Sequence, residues 1–487
     1  VSIWRTSDGV SWSPAMTGGF GLPDTNPGVI GMTVFQGKLY AGTGWNGIGA
    51  AGQLWRTSDG STWTQITGNG MGVNTGGMAA FTTFGNNLYA GTCADAPGVQ
   101  IWRSATGDSG TWTQVVTGGL NTTDNNCVTS LKEFNGALYA AVENPATGAE
   151  IWRSTTGNTG SWTKVNNSGF GSADNDLVGG FAIYGSYLYV GTHNAVTGAQ
   201  LWRSNNGTTW TSVMKNGFGD LNNDKLESLY VYNGALYAGL NNAATGLEVW
   251  RSTNGTTWTQ ANPDGFGSAS NRSTLWSNTT TIFNNSLYMG VENSATGFRI
   301  WKKLPVFGDV PASYWASSFI ERLYNAGITG GCTTSPLNYC PGNTVTRAQM
   351  AIFLLRAKYG ANYTPPAATG TFADVPISNP AAPWIEQLAK DGITGGCGGG
   401  NYCPNNPVTR AQMAIFLLRA EHGKDYLPPA ATGVFLDVPA SDFTAAYIEQ
   451  LANEGITGGC GGGNYCPAKA VTRDQMAIFL VRAFTLP

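Results

Sequence analysis

A chain of 487 residues with 11% charged residues, a net charge of −3 and 68 glycines is too long for one ordinary domain and carries no Lys/Arg cluster. Binding to nucleic acid or to an anionic membrane by counterion release is thereby excluded. The 17 Trp, 19 Tyr and 20 Phe exclude a solvated coil, and the two His exclude mechanisms built on several His ligands. No apolar run reaches the roughly 18 residues needed to span a bilayer as a helix.

Taken in chain order, the first element is itself a repeat unit. Val1 opens directly on VSIWRTSDG, and no signal peptide is read, so a mature or truncated chain is expected. The tripeptide apolar-Trp-basic recurs at Trp4, Trp55, Trp102, Trp152, Trp202, Trp250 and Trp301. Around it each unit reads as an apolar run, a turn such as NGA, LYAGT, a polar loop such as NPATGAE, IWRS, a second turn and TWTQ. These are four short runs rich in Tyr, Trp, Val and Thr between Gly/Asn/Asp turns, the pattern of a propeller blade of about 50 residues. Six blades close if Ser11–Ser13 completes the last repeat; seven is the alternative.

The turn after IWR reads TSDGVSW at Thr6–Trp12, TSDGSTW at Thr57–Trp63, SNNGTTW at Ser204–Trp210 and STNGTTW at Ser252–Trp258. It resembles the Asp-box hairpin of sialidase-like propellers. The resemblance implies a structural role between the third and fourth strands, with Asp retained only as Asp8 and Asp59. The Arg of IWR (Arg5, Arg56, Arg103, Arg153, Arg203, Arg251) recurs in nearly every unit and reads as architectural. Outside the repeat only Arg272 and Arg299 remain in this region, too few for a sialidase-type carboxylate clamp.

Two rings of polar residues are expected at one channel mouth. The loop before each first strand offers Asp24, Asn74, Asp124, Asp174, Asn222 and Ser270. The loop after each LY strand offers Gly44, Cys93, Glu143, His193, Asn241 and Glu292. Such rings suit calcium or a sugar; the competing reading is ordinary turn chemistry. Glu143, His193 and Glu292 differ most between units and are the stronger ligand candidates. Glu143 and Glu292 are also candidate paired carboxylates for glycoside hydrolysis, but their separation in the repeat order sets them across the channel. His193 has no Ser/Asp partner that the sequence locates, so no catalytic constellation is assigned.

The eight Cys include three local pairs, Cys332/Cys340, Cys397/Cys403 and Cys460/Cys466, none with zinc-ligand spacing. In a Gly-rich, low-charge chain they read as disulfides and an oxidising compartment. Following the chain direction puts Cys93 and Cys127 on one mouth in neighbouring blades, so an inter-blade disulfide is expected there.

After Trp301 the pattern changes to three copies of a unit that opens FGDVP, FADVP or FLDVP. A helical run, GITGGC, a Cys-closed loop, YCP and VTRAQMAIFLLRA or a variant follow. Thr346/Gln349, Thr409/Gln412 and Thr472/Gln475 are expected capping boxes. The three copies closely resemble the S-layer homology module. The resemblance implies one pseudo-threefold, mostly α-helical unit that anchors a protein non-covalently to cell-envelope glycan. It also implies that Asp309, Asp374, Asp437, Trp315, Trp384, Arg347, Arg410 and Arg473 line grooves holding an anionic, pyruvylated wall sugar, with Tyr447 replacing the third Trp. Gln stands where the family usually has Glu.

The expected protein is therefore multidomain and extracellular, at the cell surface or wall. An all-β propeller over 1–303 is followed by motifs over 306–365, 371–428 and 434–487. Its partners are wall polysaccharide and a glycan or protein at the propeller. It needs no cofactor other than, optionally, calcium. A display or binding role without catalysis leads; a wall-anchored carbohydrate-active enzyme and a structural lattice subunit are the alternatives.

Overall fold

The computed structural model describes the chain apart from residues 1, 8–10, 22–27, 45–51, 68–70, 72–75, 95–97, 275–279, 284–285, 304, 312 and 487. Asp8, Asp24 and Asn74 lie outside the described residues. The chain divides into a β unit that ends at Lys303 and a helical unit that runs from there to the C-terminus.

In the β unit six successive repeats form antiparallel meanders. One example is Cys127–Phe134, Ala137–Glu143, Glu150–Ser154 and Thr163–Lys164, paired in sequence order. Strand alternation buries Leu138, Ala140 and Val142 on one face and Tyr139 and Ala141 on the other, so each blade packs on both sides. Neighbouring blades are also bridged where the second strand of one ends beside the first strand of the next, at Gly44/Gly77, Cys93/Cys127 and His193/Lys225. Cys93 and Cys127 are disulfide-bonded at that point. Ser13–Met16 pairs back onto Ile3–Arg5 as a separate hairpin instead of completing the last repeat. Arg5 Nη1 reaches Ser61 Oγ at 2.8 Å. Arg56 and Arg103 reach Asp108 and Asn158 of the following blade in the same way. The first hairpin thus holds the place of the outer half of a blade preceding the six.

The Asp-box-like turns lock blade to blade. Tyr40, Tyr89, Tyr139 and Tyr189 are buried on the second strands. Over their hydroxyls sit Gly107, Gly157, Gly207 and Gly255 from the turn of the next repeat, all with positive φ. A Cβ on Gly207 would lie 1.8 Å from the Tyr139 hydroxyl, so only glycine fits. Asp59 shapes its own turn, accepting from the backbone N–H groups of Ser61 and Thr62 at 2.7 Å each.

The helical unit contains α1 (Ser317–Asn325), α2 (Arg347–Tyr359), α3 (Ala382–Lys390), α4 (Arg410–His422), α5 (Ala445–Asn453) and α6 (Arg473–Ala483). Each motif contributes two helices and a disulfide loop, closed by Cys332–Cys340, Cys397–Cys403 or Cys460–Cys466. At the centre, buried Val345, Val408 and Val471 are joined in a cycle of N–H···O bonds of 2.8–2.9 Å. Thr346/Gln349 and Thr409/Gln412 form capping boxes. The expected third box does not form. The sequence there is TRDQ, and Asp474 accepts from the Thr472 hydroxyl and from the Gln475 N–H, displacing the cap.

Candidate functional site

At the propeller mouth the decisive residues stand one position beyond those the turns suggested. Asp124 and Asp174 are exposed and bond locally to Thr122 and Ser172. The residues after them, Asn125 and Asn175, are buried, as are Asn223 and Asn271. Each of the four donates its amide to a glycine carbonyl six residues back, at 2.7–2.8 Å. Each also accepts from a second buried asparagine after the second strand: Asn144, Asn194, Asn242 or Asn293. Glu150, Gln200 and Glu248 join the net and take the indole N–H of Trp152, Trp202 and Trp250. Every buried polar group in this net works on the fold. Its signal, an Asn at one fixed place in the NPATG-like loop and another before the first strand, recurs in the last four repeats.

Glu143, His193, Asn241 and Glu292 are partly exposed at equivalent ends of second strands. His193 Nδ1 lies 2.6 Å from Asp176 Oδ1, a partner not identified from the sequence. Asp224, on the next blade, is held above the ordinary carboxylate range by burial, partly offset by His193. The inner strands of four blades line a channel of about 420 Å³ whose wall includes Thr82, Thr129, Lys132, Phe181 and Tyr230.

In the helical unit the three arginines are corrected from groove ligands to buried latches. Arg347, Arg410 and Arg473 are 3–5% exposed. Each guanidinium enters the following motif, where Nε donates to the carbonyl of Tyr402, Tyr465 or Tyr339 at 2.7 Å. Each tyrosine hydroxyl donates back to the carbonyl of the same arginine. The cation also sits 4.7 Å from that tyrosine ring. Burial lowers the pKa of all three below the usual arginine value. The carbonyls they meet are interior, so no face of these cations is open to a sugar.

Asp309, Asp374 and Asp437 likewise hold their own loops. Each carboxylate accepts two backbone N–H bonds of 2.7 Å, from Tyr339 and Cys340, Tyr402 and Cys403, or Tyr465 and Cys466. For Asp437, burial pushes the pKa up, but these bonds outweigh it and leave it lowered.

Trp315 and Trp384 are not equivalent. Trp384 lies on α3 beneath Arg356, as Tyr447 lies beneath Arg419 and Phe319 beneath Arg482. Trp315 precedes α1; counted from the DVP segment, its counterparts are Pro380 and Phe443. Trp315 and Phe443 are 59% and 82% exposed. Phe443 escapes sequence reasoning because a lone Phe in a Ser/Asp loop carries no motif.

Two carboxylates tie down the linkers. Glu386 accepts from Thr369, Gly370 and Thr371, and Glu449 from Thr432, Gly433 and Val434. Burial pushes Glu386 up, but the bonds from Thr369, Gly370 and Thr371 prevail and hold it at about 2, against an ordinary 4.5. The stability it contributes is complete above the ordinary value and is lost as pH falls from there toward 2. Glu386→Gln is therefore expected to lower the thermal midpoint at neutral pH and to flatten its fall in acid. A pH series of melting curves in which the two proteins stay parallel would refute this.

Among the described residues, His, Cys, Asp and Glu donors gather in threes within 4.8 Å at Asp374–Cys397–Cys403, Asp437–Cys460–Cys466 and Glu421–His422–Glu454. The propeller mouth holds no such group among these residues. The first two include disulfide sulfurs, which are not available as thiolates.

Residues 306–351, 371–414 and 434–477 each match the S-layer homology domain. Exoglucanase XynX of Acetivibrio thermocellus is 30% identical over 208 residues, covering 42% of this chain and 18% of that protein. S-layer protein EA1 of Bacillus anthracis is 28% identical over 177 residues, covering 36% and 19%. The chain thus spans less than a fifth of the length of these relatives. Among solved structures, "YCF48 bound to D1 peptide" is similar at 15% identity and a TM-score of 0.36, over 57% of this chain and 82% of that one. No helix among the described residues is long and apolar enough to cross a membrane. The C-terminal region is a set of three S-layer homology domains, and these point to the cell surface or wall.

Proposed function

We propose that the chain is a non-enzymatic surface protein in which the triple S-layer homology unit grips wall glycan and the propeller displays or binds a ligand. The observation that carries this reading is the exposure of two aromatic rings at equivalent places, Trp315 and Phe443, in a unit whose repeated arginines are buried latches. An exposed ring offers an apolar face to a pyranose, whereas the arginines are consumed in the interior.

Residues 306–487 are expected to be retained on purified sacculi carrying their secondary polymer, and the propeller alone to wash through. Trp315→Ala combined with Phe443→Ala is expected to reduce retention about tenfold with an unchanged melting midpoint. Equal retention of both fragments would overturn the anchoring assignment, and full retention by the double variant would overturn the ring assignment. The competing reading, a wall-anchored carbohydrate-active enzyme, draws on the name of the first relative and on the His193–Asp176 pair. Turnover of a glycoside panel by the full chain, abolished by His193→Gln, would establish it instead.

A further inference from the structure

We propose that Glu421, His422 and Glu454 form a divalent transition-metal site that staples the second S-layer homology motif to the third. Their donor atoms all lie within 4.8 Å of one another. His422 Nε2 already stands 2.9 Å from Glu454 Oε1. The set comprises one imidazole nitrogen and two carboxylates, three protein donors with room for water. Imidazole favours zinc-like ions over calcium or magnesium.

The surroundings point the same way. Glu454 Oε2 is shielded from solvent and has no hydrogen-bond partner, a buried acceptor awaiting a cation or a donor. Two contacts already restrain these side chains. The His422 ring stacks on Tyr426 at 4.3 Å, and Gln450 Nε2 donates to Glu454 Oε1 at 2.7 Å. Side-chain exposures of 33% for His422 and 21% for Glu454 leave a path of entry.

Charge at the helix ends adds an argument that rests on neither distance. Glu421 and His422 end α4, and Glu454 follows the last residue of α5. Two negative helix ends therefore meet two carboxylates, the unfavourable sign. At the first junction the corresponding residues are Lys358, Tyr359 and Asp391, with Tyr359 bonded to Asp391 at 2.9 Å. Only the second junction exchanges a lysine for a glutamate and a tyrosine for a histidine. A divalent cation would neutralise both carboxylates and both helix ends.

This site is independent of the glycan-binding reading. The test is a zinc titration of the full chain, with cobalt absorption as the second readout. One equivalent is expected to bind, with a rise in the midpoint of helical unfolding. His422→Gln and Glu454→Gln are expected to abolish uptake, Gln450→Ala to weaken it about tenfold, and His193→Gln, which removes the other histidine, to leave it intact. Absence of uptake by the wild type, unchanged uptake by His422→Gln, or loss of uptake in His193→Gln would each overturn the proposal. Because Glu421→Gln leaves the His422–Glu454 contact in place, weakened uptake by that folded variant supports the site even if His422→Gln fails to fold. Undiminished uptake by it removes Glu421 from the ligand set and overturns the three-donor site.

Discussion

Arg410→Ala is expected to lower the melting midpoint of the helical unit by about 10 °C, which corresponds to a loss of about 3 kcal/mol for a unit of this size. The substitution deletes a 2.7 Å bond to the Tyr465 carbonyl and the cation seated between the rings of Tyr465 and Phe479. It leaves an interior carbonyl without its donor and a cavity between two motifs. An unsatisfied buried acceptor costs about 1–3 kcal/mol, and the cavity adds to it. Arg410→Lys is expected to recover little, because an ammonium cannot stack flat on Tyr465 while donating to its carbonyl. Arg419→Ala, at the other end of α4, removes a cation at 5.8 Å from the Tyr447 ring and is expected to cost about 1 kcal/mol. Thermal unfolding followed by helical circular dichroism distinguishes the two. Equal midpoints for Arg410→Ala and Arg419→Ala would refute the latch. Loss of sacculus retention in Arg410→Ala should track the unfolded fraction, whereas a groove ligand would lose retention while still folded.

The second large effect is expected in the propeller. Gly207→Ala puts a methyl group 1.8 Å from the Tyr139 hydroxyl at a backbone φ of +74°. The left-handed conformation costs about 1–2 kcal/mol for alanine, and forcing the buried tyrosine aside adds about 1–3 kcal/mol. Gly160→Ala supplies the internal comparison. Its φ is +75°, yet nothing lies within 4 Å of the added carbon, so only the conformational cost remains. Combining Gly207→Ala with Tyr139→Phe should recover part of the loss, since the clash is with the hydroxyl; additivity of the two changes in denaturant titrations would exclude the lock.

Much of this architecture is legible in the residues because repetition supplies what a single copy lacks. The strand order of each blade follows from Tyr/Trp-rich runs between turns. The pairing of Cys93 with Cys127 follows from chain direction alone. What escapes is side-chain direction. Asp124 and Asn125 are neighbours of similar chemistry, but strand entry turns one to solvent and the other into the interior. A TRAQ arginine reads as a surface cation, because nothing local reveals that its partner carbonyls belong to a loop 55 residues away. Trp315 and Trp384 look alike by composition and separate only when counted from the DVP segment.

The three arginine latches run from the first motif to the second, from the second to the third, and from the third back to the first across 134 residues of sequence. Every motif is at once plug and socket, so the count of three is a closure condition. A chain carrying two motifs would keep one arginine without a seat and one tyrosine pocket without a cation, and could satisfy both only by borrowing from a second chain. A fourth motif would find no vacancy. The last motif of such a set is therefore no more dispensable than the first, although their sequences are the furthest apart.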